Sequence, residues 1–94
     1  MNYKETLKEV NTKIKSCKLS DERDFEALNA YVWDMKQPYV LSAEGTIEYY
    51  AYFAMQNFCL FMDKCREKHL KGLSLSKIEI ELKRYWTKTY NKFV

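Results

Sequence analysis

The sequence predicts an all-α fold, a compact bundle of about four helices with a central apolar helix, in which residues 1–94 form a single helical domain. Three observations lead there. The segment Tyr49–Met62, YYAYFAMQNFCLFM, carries no charge and would be apolar on every side of a helix. It is shorter than the about 20 apolar residues that cross a bilayer, so it reads as a buried helix with neighbours on more than one face and predicts no membrane insertion. Only two glycines and one proline interrupt 94 residues, too few breakers for a loop-rich scaffold. Elsewhere, apolar residues recur at the alternating spacing of a helix with one buried face.

The first helix is expected over about residues 3–18, where Tyr3, Leu7, Val10, Ile14 and Cys17 keep that spacing. Asn2 suits its N-cap, with Glu5 as reciprocal acceptor. A second helix starts after Ser20, with Asp21 and Glu22 at the positive end of its dipole and Phe25, Leu28, Val32 and Met35 as its core face. Pro38 closes it, because the residue before a proline is pushed out of helical geometry. The third helix runs from about Ala43 or Thr46 to Lys71, with Ile47, Ala51, Ala54, Phe58, Phe61 and Cys65 inward. Lys68 and Lys71 meet the negative end of its dipole, and Gly72 takes the left-handed position beyond it. The fourth helix opens on a capping box of Ser76 and Glu79, stapled by Leu75 and Ile80, and turns Ile78, Leu82, Tyr85, Thr89 and Phe93 inward. The alternative is an α+β fold with a small antiparallel sheet. Residues 38–53 can be read as a hairpin around Gly45, and residues 77–82, KIEIEL, alternate with period two.

Composition narrows the function classes. Ninety-four residues with 47% hydrophobic and 16% aromatic content suffice for one folded domain. The net charge of +3 is segregated: residues 1–18 hold five lysines against two glutamates, and residues 19–63 hold eight acids against Arg23 and Lys36. Residues 64–94 then carry nine basic residues against three glutamates. Basic ends and an acidic middle attract one another inside the fold and present a two-signed surface to a partner. Cys17, Cys59 and Cys65 are odd in number, lack C-x-x-C spacing and fall among apolar positions. With an N-terminus that is charged throughout, they predict a reduced, cytoplasmic protein.

Cys65 and His69 are four apart on one helical face, as a thiolate and its base would be, with Asp63 nearby. Nothing completes the arrangement, since no glycine-rich loop or oxyanion-hole signature is present and this is the single histidine. Cys59, Cys65 and His69 match no zinc spacing, so no metal, no cofactor and no catalytic residue is expected. The acidic run Asp21, Glu22, Asp24 and Glu26 fits the first turn of a helix better than a cation site or a mimic of phosphate charge.

The residues expected to bind a partner are Lys83, Arg84, Trp86, Lys88 and Tyr90, aromatic anchors surrounded by charge on the outer sides of the fourth helix. The same segment, KRYWTKTYNKF, is the best candidate for contacting nucleic acid, with Lys4, Lys8, Lys15 and Lys18 as a second basic stripe. A pI near 8.7 is modest for that role. On the third helix, Tyr49, Tyr50, Tyr52, Phe53, Met55 and Met62 must cover faces other than the core face. Complete burial within the monomer is the favoured reading, and an exposed patch suited to an interface is the alternative. The favoured function is a small non-enzymatic module that binds a protein partner or a second copy of itself, with nucleic-acid binding as the alternative. Abundant Lys, Asn, Ile and Tyr suit a bacterial or phage genome rich in A and T, whose small single-domain proteins include regulators, immunity proteins and inhibitors of host defence such as anti-CRISPR proteins.

Overall fold

Every helix needs substitute partners for its first backbone amides, and the positions of those partners decide where these helices begin. In the computed structural model, which describes residues 2–94, four α-helices are present among the described residues and no strand is. They are α1 (Tyr3–Ser16), α2 (Glu22–Lys36), α3 (Ile47–Leu70) and α4 (Leu75–Tyr90). Asn2 Oδ1 accepts from the Glu5 amide at 2.9 Å, and Thr46 Oγ1 accepts from the Tyr49 amide at 3.3 Å. Asp21 and Asp24 form a reciprocal box at the start of α2. For α4 the expected box is corrected. Ser74 caps the helix, accepting from the Lys77 amide at 3.3 Å, while Ser76 lies inside the first turn.

Pro38 turns the end of α2 into a short 3-10 helix over Gln37–Tyr39. Gly72, at φ +110°, ends α3 in a Schellman motif. Its amide donates to His69 O at 2.9 Å, and the Leu73 amide donates to Lys68 O at 3.0 Å. The hairpin read over residues 38–53 does not form, because Gly45, at φ +87°, leads into the Thr46 cap instead of a second strand. Residues 77–82 are helical. A strand would bury Ile78, Ile80 and Leu82 together, whereas Ile80 is 57% exposed between two fully buried neighbours.

The helices run up and down in turn. Lys13 Nζ lies 5.5 Å from the Tyr31 ring centroid and Thr6 Oγ1 bonds Tyr39 Oη at 2.6 Å, so α2 descends along α1. Arg66 meets Glu26 at 3.3 Å and His69 meets Glu22 at 3.9 Å, placing the end of α3 beside the start of α2. Phe61 stacks on Tyr85 at 4.3 Å and Lys68 reaches Glu81 at 3.6 Å, setting α4 antiparallel to α3. The bundle closes with α4 against α1, and its extents of 40 × 20 × 20 Å match the length of α3.

Leu7, Val10, Ile14, Phe25, Leu28 and Val32 meet Ala51, Met55, Phe58, Met62 and Cys65 in the core, with Ile78, Leu82 and Trp86 from α4. Of the expected core positions, Tyr3, Cys17, Met35, Tyr85, Thr89 and Phe93 are only half-buried, and Ile47 and Phe61 of α3 are corrected as well. Ile47 is 43% exposed, because it lies on the first turn of α3, where α4 has ended and Lys92 and Phe93 lie opposite. Phe61 is half-buried at the seam with α4. Lys36 is buried although nothing in its spacing announces it. Its ammonium lies 3.5 Å from the Trp33 ring centroid and 5.0 Å from that of Tyr52, so aromatic faces receive the charge while the stem packs.

Candidate functional site

The five residues expected to form a partner surface do not share one. Ile78, Leu82 and Trp86 stand four apart and all bury, so the inward line of α4 passes through Trp86. The indole N–H donates to Asn11 Oδ1 on α1 at 3.1 Å. Its ring meets Phe58 edge-on at 5.5 Å and lies over Tyr90 at 6.1 Å. Trp86 as an outward anchor is therefore corrected. Leu82 has two helical successors, Tyr85 and Trp86; the indole takes the centre, and Tyr85 stacks on Phe61 at the seam. Tyr90 is half-buried, Lys83 is half-buried beside Glu79 at 3.4 Å, and Arg84 and Lys88 are exposed.

Glu79 serves as an anchor between distant segments. The Leu19 amide donates to Glu79 Oε1 at 2.8 Å, and this bond holds the carboxyl below the usual glutamate range against the opposing effect of burial, with Lys83 assisting. The acidic run is consumed locally. Asp24 accepts from the amides of Ser20 and Asp21, and Glu22 and Glu26 bridge to α3.

Cys65 is buried, and that burial pushes its thiol up, with Glu81 adding to the effect; a reactive thiolate needs the reverse environment. His69 is committed elsewhere, with Nδ1 2.9 Å from Leu73 O. Burial pushes the Cys59 thiol up to about 11. Among the described residues no group of three or more His, Cys, Asp or Glu is placed to hold a metal ion, and no helix is long and apolar enough to cross a membrane.

The surface that stands out is the first half of α3. Met55 and Met62 bury, and Tyr49 and Tyr52 half-bury, but Tyr50 is 55% and Phe53 39% exposed, so complete burial of this aromatic set is corrected. Leu60, further along the same outer face, is 49% exposed. The rings support one another: Tyr49 lies 5.6 Å from Tyr50 and 4.7 Å from Phe53, and Tyr52 lies 5.3 Å from Phe53. Beside them an open groove of about 440 Å³ runs between α3 and the end of α4. Ile47, Tyr50, Phe53, Ala54 and Asn57 form one wall. Tyr85, Thr89 and Phe93 face them, and Lys92 is the one charged residue of the lining.

This lining offers apolar area and a few hydrogen-bonding groups, the chemistry of docking. The signal for it lies in the sequence: a monomeric helix has charge opposite its core face, whereas Tyr49, Phe53, Asn57 and Leu60 occupy those positions here. No protein-family model, curated protein sequence or solved structure matches this chain.

Proposed function

We propose that the protein is a small non-enzymatic interaction module, a regulator or inhibitor that binds a protein partner through the outward face of α3 and the groove beside it. One observation supports this most: Tyr50, Phe53 and Leu60 are exposed on a single helix face that carries no ionised residue from Tyr49 to Met62. Contiguous apolar surface rimmed by polar residues marks interaction sites, and aromatic residues are enriched in interface cores. Arg84 and Lys88 lie on a different helix and would affect association rate more than affinity.

Affinity capture from nuclease-treated lysate of the source cells tests the reading. Wild type and an Arg84→Glu/Lys88→Glu variant should retain the same protein partner, and Phe53→Asp should lose it. Capture that depends on Arg84 and Lys88 but not on Phe53 would refute the assignment. Nucleic-acid binding keeps its exposed cations but lacks Trp86 as a stacking platform, since that ring is buried. Binding to generic DNA or RNA that weakens steeply with salt and vanishes in the charge-reversed variant would replace the protein-binding reading.

A further inference from the structure

We propose that the partner docked on the outward face of α3 is a second copy of this chain, packed antiparallel across a two-fold axis that passes near Asn57. The proposal rests on the reading of this face as a docking surface and names its occupant.

A knob and its hole sit on the same helix. Tyr50, Phe53, Ala54 and Asn57 stand at positions i, i+3, i+4 and i+7, the four corners of a socket that receives one side chain from a neighbouring helix, and all four line the open groove. Leu60 lies just beyond that socket on the same outer face, half exposed. When α3 of a second copy lies antiparallel, Leu60 of each chain enters the socket of the other. The two contacts are identical, as an isologous interface requires. Asn57 is exposed and falls at the axis, where its amide, both donor and acceptor, can bond its own symmetry mate. Nothing charged must be desolvated from Tyr49 to Met62, about 20 Å of helix at about 1.5 Å per residue.

Charge selects the antiparallel arrangement. Near the amino end of α3 lie Glu44 and Glu48, with no basic residue over positions 37–63. Near its carboxyl end basic residues outnumber acids, Lys64, Arg66, Lys68 and Lys71 against Asp63 and Glu67, and Lys64 and Lys71 are exposed and without an ion pair among the described residues. Antiparallel pairing sets the acidic end of each copy against the basic end of the other and brings Lys64 over the Tyr49–Tyr50 ring pair of the second copy. Parallel pairing would set like charge against like. The helix dipoles favour the same choice.

Sedimentation equilibrium of the full chain under reducing conditions, from low micromolar to millimolar concentration, reads the pairing directly. Wild type should dimerise. Leu60→Glu should raise the dimer Kd at least about 100-fold, because it enters both sockets and a buried charge costs at least about tenfold in each. Ile80→Glu, at an exposed position on α4, should leave the Kd unchanged. Under mild oxidation Asn57→Cys should form a disulfide-linked dimer and Arg84→Cys should not, which checks the axis independently of Leu60. A dimer that survives Leu60→Glu, or one lost in Ile80→Glu, overturns the proposal. A wild type that stays monomeric also overturns it: if Phe53→Asp still abolishes capture of a different protein, the docking surface stands with another occupant, and if no capture depends on Phe53, both readings fall.

Discussion

Trp86 combines the largest fully buried ring in the molecule with a polar group that must be satisfied. Its ring fills space against Phe58 and Tyr90, and its N–H is bonded to Asn11. Trp86→Ala should therefore destabilise the protein by about 3–5 kcal/mol, leaving a cavity and an unpaired Asn11 amide. Against a total stability of about 5–15 kcal/mol this approaches unfolding, and urea denaturation followed by far-UV circular dichroism measures it. Trp86→Phe should cost clearly less, since most of the packing survives. The sequence could not separate Tyr85 from Trp86, because both lie one turn beyond Leu82 and both are large enough to continue an apolar stripe. Burial of Lys36 was equally illegible, because it depends on Trp33 and Tyr52 meeting across two helices.

At the scale of the element, periodicity and termini carried most of the information. The start of α1 follows from Asn2, which the sequence marks as its cap; the structure adds that Asp21 caps α2 and that Thr46, one of two starts left open for α3, caps that helix. The end of α3 follows from Gly72, whose positive φ few other residues tolerate. The start of α4 was legible only to within two residues, because Ser74 and Ser76 are both competent caps and Leu75 fits equally a staple or a first turn. A pair of variants separates them. Ser74→Ala should cost about 1 kcal/mol, whereas Ser76→Ala should leave the urea midpoint nearly unchanged. The outward face of α3 was harder to read, since aromatic residues surround the helix and only the positions of α2 and α4 decide which are covered.

At the scale of the whole molecule, the segregated charges act as fastenings between helices. Glu26–Arg66 joins the acidic middle to the basic end and Glu81–Lys68 joins α4 to α3 within the basic end, yet both pairs are solvent-accessible and contribute little each. The Glu79 carboxylate is different, because it holds the Leu19 amide and so ties the turn after α1 to the start of α4. Its folded-state pKa lies below the ordinary value near 4.5, so the stability it adds is present above that value and is lost as pH falls through the folded pKa. Between about pH 7 and about pH 3, Glu79→Gln should show a smaller fall in urea midpoint than wild type. The closed bundle was legible because α1, α2 and α4 each show one apolar stripe, α3 is apolar on every side over Tyr49–Met62, and three short connections force neighbours to alternate in direction. Its two tryptophans give it a built-in optical readout. Trp33, partly open to solvent beneath an ammonium group, can be reached by a soluble quencher, while Trp86, sealed in the core, is shielded until the bundle opens. Light emission from the second thus reports the integrity of the whole assembly of helices, and emission from the first reports events at the seam of α2 and α3, beside the face that is proposed to meet another chain.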